Sequence, residues 1–130
     1  MSQNEAVGVE LRLAADPKES AEELEVLSLA LRRELLQLVA VESVEHVSVG
    51  EPPADARGLD LAAIGVLLVT LAQSATALEA MARAVRSWLK LQPARKIKLQ
   101  IGEDTLELTG ATSSDQERLV TAWIERHARP

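Results

Sequence analysis

Between Asp60 and Glu79 the chain carries no charged side chain, so residues 61–78 form an uncharged run of eighteen. Any fold of this chain must keep that apolar stretch out of water. Ile64, Leu68, Leu71, Ala75, Leu78, Ala82, Val85 and Leu89 recur at alternating steps of four and three, which is the period of one helix face. With Asp60 as a cap and Pro93 just beyond the end, the spacing predicts one helix over Leu61–Leu91, about 45 Å long at 1.5 Å per residue. Thr76 and Glu79 stand at capping-box spacing, so a break near Gln73–Thr76 is the alternative to the single helix that the unbroken register favours. The second half is amphipathic, with Glu79, Arg83, Arg86 and Lys90 on its outer face. The first half is apolar nearly all round and needs cover on more than one side. That cover is the domain's own sheet, a second copy of the chain, or lipid. Eighteen residues is the lower edge for a membrane span, and Gly65, Thr70, Gln73, Ser74 and Thr76 point away from one.

The flanking segments read more simply. Val7, Val9, Leu11 and Leu13 alternate with Gly8, Glu10 and Arg12, a half-buried strand. Asp16-Pro17 and Ser20 with Glu23 are overlapping helix-start signals, followed by Leu24, Leu27, Leu31, Leu35 and Leu38 on one face. Val44, Val47 and Val49 suggest a second strand containing His46, and Gly50–Gly58 reads as a loop from its prolines and glycines. Near the C-terminal end, Ile97, Leu99 and Ile101 precede Leu106 and Leu108, with Glu103-Asp104 as the turn. Pairing Ile101 with Leu106 and Leu99 with Leu108 gathers the apolar residues on one face. Ser114–Glu117 is a third capping box, opening a helix with Leu119, Val120, Trp123, Ile124 and His127. The expected order is β-α-β-α-β-β-α: an α+β two-layer sandwich, a four-stranded sheet with three helices on one face. At 130 residues the chain is expected to be one domain over 1–130.

Composition narrows the chemistry. There is no Cys, Phe or Tyr, and the aromatic residues are Trp88 and Trp123. Disulfides, thiolate metal sites and cysteine nucleophiles are excluded, and base stacking on aromatic platforms is disfavoured. The net charge of −6 is uneven: residues 1–60 hold 5 basic and 13 acidic groups. Residues 81–98 hold six basic groups and no acid: Arg83, Arg86, Lys90, Arg95, Lys96 and Lys98. This segment is a solvated face, a complementary patch for ordered assembly or a charged partner, or a phosphate contact. An acidic chain is a poor nucleic-acid binder, so no nucleic-acid partner is expected. Met1–Glu5 is polar and acidic, unlike a secretory signal, and a cytoplasmic protein is expected.

No catalytic motif stands out. His46 and His127 lack the spacing of a zinc site and read as a partly buried strand residue and a frayed helix end. There is no nucleophile elbow, no P-loop and no dinucleotide fingerprint. A Ser-His-Asp triad is recognised by geometry, and composition does not decide it. No catalytic residue, metal or cofactor is therefore assigned. Trp88, at the edge of the apolar stripe, is either helix–sheet packing or an interface anchor.

The run Ala84-Val85-Arg86-Ser87-Trp88-Leu89 closes an Ala-rich helix, and the basic strand Arg95–Leu99 follows it. After these come a short turn, Leu106-Glu107-Leu108-Thr109-Gly110, and an amphipathic helix. Over residues 7–127 this pattern resembles the effector-associated constant component family of bacteria. It departs from that family in having Gln73-Ser74-Ala75-Thr76 in place of a glycine-rich middle. The resemblance implies a non-enzymatic module of bacterial conflict systems, immunity-like and serving antiviral defence. Such a module pairs through protein–protein contacts with a variable effector, peptidase-like among others, which carries the catalysis. The residues expected to meet a partner are Arg83, Arg86, Trp88 and Lys90, and those expected to form an oligomer interface are Val66, Leu67 and Val69. The alternative is a small sensor that binds an anionic ligand on the basic 81–98 segment.

Overall fold

The structure, a computed structural model, describes residues 6–14, 20–47, 64–92, 95–110 and 113–128. Asp16-Pro17, Val49, the Gly50–Gly58 loop, Asp60 and Pro93 lie outside them. Strands β1 (Ala6–Ala14), β2 (Val41–Val47), β3 (Ile64–Ala72), β4 (Lys96–Ile101) and β5 (Asp104–Thr109) alternate with helices α1 (Ala21–Leu36), α2 (Ala75–Lys90) and α3 (Ser114–His127). All neighbouring strands are antiparallel, in the order β2-β3-β1-β4-β5. Among the described residues the fold is α+β with three helices and five strands, one strand more than the sequence suggests.

The extra strand is the first half of the expected long helix. Ile64–Ala72 forms β3, Gln73-Ser74 breaks the chain, and a helix starts only at Ala75. In β3, Leu67, Val69 and Leu71 are fully buried, while Val66, Leu68 and Thr70 point to the opposite face. Valines and a threonine suit a pleated strand better than a helix, and β3 lies between β1 and β2, where both edges are paired. A run that is apolar at nearly every position satisfies period 2 and period 3.6 at once, so periodicity alone does not separate them. Ser74 caps α2 by accepting from the Ala77 N–H at 3.1 Å, and the expected Thr76–Glu79 box is not used.

β1 and β2 run parallel to each other with β3 between them, and β3 and β4 run parallel with β1 between them. These are two interleaved split β-α-β units, the plan of a ferredoxin-like sandwich, extended by edge strand β5 and by α3. The helices cover one face. Val9, Leu11, Leu13, Leu67, Leu71, Ile97, Leu99 and Leu108 meet Leu24, Leu31, Leu35, Leu78, Met81, Val85, Leu89 and Trp123 in a single core. Each such large side chain contributes roughly 1.5–3 kcal/mol when buried.

Local sequence fixes the joints. Ser20 accepts from the Glu23 N–H at 3.1 Å, and Glu23 accepts from the Ser20 N–H at 2.8 Å, a capping box worth about 1 kcal/mol. The β4–β5 turn is Gly102-Glu103, with Gly102 at φ 60°. It pairs Ile101 with Asp104, Leu99 with Leu106 and Ile97 with Leu108. The expected register is thus shifted by two residues, which keeps every side chain on its expected face because the strand period is two. For α3 the cap is Ser113, one residue before the expected one, accepting from the Gln116 N–H at 3.1 Å.

Candidate interaction surfaces

α2 is the central helix of the outer layer and has a groove along each flank. The groove towards α1, about 410 Å³, has Leu38, Ala84, Trp88 and Leu91 among its apolar lining, and Glu34 and Arg83 at its edges. The groove towards α3, about 340 Å³, is lined by Arg83, Arg86, Lys90, Glu79, Glu117 and Thr121 among others. Arg83 and Ser87 border both grooves and so form the ridge between them.

The four expected partner-binding residues therefore lie on one helix but in different environments. Arg83 and Lys90 are exposed. Arg83 reaches Glu79 one turn earlier at only 3.8 Å, a contact that holds an exposed side chain weakly. Arg86 is mostly covered and donates to Glu117 on α3 at 2.8 Å. That guanidinium holds the Glu117 carboxyl below its ordinary pKa. Trp88 is 8% exposed: it is core, with one edge forming part of the groove floor. Val66, Leu67 and Val69 do not form an oligomer surface on a helix. They lie in β3, where Leu67 and Val69 are sealed under this chain's own helices and only Val66 faces outward.

The basic 81–98 segment is also divided. Arg83, Arg86 and Lys90 are on α2, Arg95 is buried, and Lys96 and Lys98 project from the uncovered face of the sheet. On that face lies a shallow concavity of about 530 Å³ over Gly8, with Glu10, Glu45, Leu68, Thr70 and Gln100 in its lining. Arg12 pairs there with Glu10.

One polar cluster escaped the sequence reading. Asp104, at the start of β5, accepts from Arg126 Nε and Nη2 at 2.7 and 3.1 Å and lies 2.7 Å from His127 Nε2. The Arg126 hydrogen bonds, followed by that of His127, hold the Asp104 carboxyl below its ordinary pKa. The His127 ring lies against Trp123 at 5.2 Å between centroids, and its carbonyl accepts from Gln73 Nε2 at 2.8 Å. His127 is thus a clasp between α3, β5 and the β3–α2 joint. The available signal was an acid beside a tight turn and a basic pair at a helix end. His46 faces the helix side of β2, its Nε2 buried without a hydrogen-bond partner among the described residues. Among those residues no three His, Asp or Glu gather as a metal site, and no helix is long and apolar enough to cross a membrane.

No family model, curated protein or solved structure matches the chain.

Proposed function

We propose that the chain is a non-enzymatic, cytoplasmic adaptor of a bacterial conflict system, holding an effector through protein–protein contacts on α2. The observation that carries this reading is the α1–α2 groove. An apolar floor of Leu38, Ala84 and the Trp88 edge beneath charged rims is the form that accepts an amphipathic segment of another protein. Leu91, 75% exposed at the end of α2, extends that floor. The sequence resemblance set out above supplies the class of partner, an effector that brings its own chemistry.

A second reading is the small sensor of anionic ligands. Arg83, Arg86 and Lys90 share the α2–α3 groove, which favours it. Glu79 and Glu117 pair with two of those three cations, and Arg95, Lys96 and Lys98 lie apart from them, so the adaptor is preferred.

The test is a photo-crosslinking residue at Ser87 in cells of the source organism. The expected result is a crosslink to one effector-domain protein, lost with Arg83→Glu or Leu91→Glu. A crosslink that survives both variants would remove the groove from the interface. A saturable thermal shift with nucleotides or phosphorylated metabolites, abolished by Lys90→Glu, would instead establish the sensor.

A further inference from the structure

Helix α1 is apolar on two opposite sides. Leu24, Leu31 and Leu35 are buried in the core. At 3.6 residues per turn, Val26, Leu29 and Leu36 fall on the side facing away from it, and they are 66%, 39% and 40% exposed. Glu22 and Arg33 complete this outer stripe, both exposed. Among the described residues neither makes an ion pair within its own chain.

The order along the stripe is Glu22, Val26, Leu29, Arg33, at steps of four, three and four. That order is its own complement when reversed. Laid antiparallel on an identical helix about a twofold axis level with Leu27 and Ser28, each Glu22 meets the opposing Arg33. Each Val26 meets the opposing Leu29. An isologous interface requires such self-complementarity, in which residue i contacts j and j contacts i. A parallel pairing would instead set like charges against each other at both ends.

We propose that the outer face of α1 is a homodimerisation surface, in which α1 of one chain packs antiparallel against α1 of a second copy. Glu22 and Arg33 set the direction and Val26 and Leu29 form the centre. Glu34, on another side of α1, and Leu38, just beyond its end, line the α1–α2 groove, so the dimer leaves that groove open. The proposal stands whether or not the groove takes a partner. One helix pair is a small interface, and small interfaces are weak and transient, so a concentration-dependent dimer is expected.

The test is the solution mass of the full chain by light scattering, up to about 1 mM, where a millimolar dissociation constant would still register. Wild type should rise towards twice the 14.1 kDa of one chain. Glu22→Arg and Arg33→Glu, each alone, place two like-charged contacts in the interface and should weaken self-association roughly tenfold or more. An equimolar mixture of these two variants should dimerise again, because every contact is then oppositely charged. Leu29→Glu should be monomeric with an unchanged helix signal. A monomeric wild type, a dimer that survives Leu29→Glu, or a mixture that fails to re-form the dimer would each overturn the proposal.

Discussion

Gly65 in β3 lies so close beneath Ser28 of α1 that a Cβ at position 65 would stand 2.3 Å from the Ser28 Oγ. That hydroxyl is itself engaged, donating to the Leu24 carbonyl at 2.9 Å. The pair brings α1 down onto β3. Gly65→Ala should therefore destabilise by about 1–3 kcal/mol, the usual cost of overpacking. Adding Ser28→Ala removes the clashing atom and leaves Leu24 Cγ at 3.6 Å as the nearest remaining neighbour outside residue 28. The double variant should return close to wild type in urea unfolding. A double variant as weak as Gly65→Ala alone would show that the cost lies elsewhere.

The β4–β5 turn makes a different demand on its glycine. Nothing lies within 4 Å of a Cβ built at Gly102, but the backbone there is left-handed, at φ 60°. Gly102→Val should cost about 1–2 kcal/mol through backbone strain alone. Gly102→Asn should cost clearly less, since Asn tolerates that conformation. Equal melting temperatures for the two variants would contradict this account.

Acid should loosen the α3–β5 clasp. The Asp104 carboxyl is held below its usual value of 3.8, first by the Arg126 hydrogen bonds and then by that of His127. A carboxylate whose folded pKa is depressed stabilises the native state at pH above its unfolded pKa. That contribution is lost as pH falls through the folded value. Asp104→Asn should lower the urea midpoint at pH 7 and flatten its decline below about pH 4. A decline as steep as that of wild type would place the acid sensitivity in other carboxylates.

Trp88 is a poor probe of the α2 surface and Leu91 a good one. Truncating a buried tryptophan costs about 3–5 kcal/mol, a large share of the 5–15 kcal/mol that holds a typical domain together. Trp88→Ala should lower the denaturation midpoint sharply. Leu91→Glu and Arg83→Glu, at exposed positions, should stay within about 0.5 kcal/mol of wild type. Wild-type stability in Trp88→Ala would mean that its ring is not part of the core.

The elements with one wet face are legible in the sequence. β1, α3 and the β4–β5 hairpin each show a single period, because each alternates between core and water, and α1 is legible from the leucines of its core stripe. β3 was not legible as a strand. It is roofed by helices on one side and still carries Val66 and Leu68 on the other, so its sequence holds no record of which face is which. The hairpin register slipped by two because turn placement depends on Gly102, whereas the side-chain pattern depends only on parity. At the candidate site, charge and helical period place Arg83 and Lys90 on an outer helix face, and both are exposed. The groove beside Trp88 is not legible there, because Glu34 on α1 and Leu38 in the turn after it are some fifty residues away in sequence. Proximity of that kind is created by the fold.

β1 sits at the middle of the sheet, hydrogen-bonded on one side to β3 and on the other to β4. As the chain leaves a ribosome, β1 therefore has two open edges until β3 has emerged, and one until β4 has. Throughout that interval Val9, Leu11 and Leu13 form a ready template for any other extended chain. Strand β4 completes the protection of a segment made some ninety residues earlier, so truncation before Lys96 should lead to aggregation.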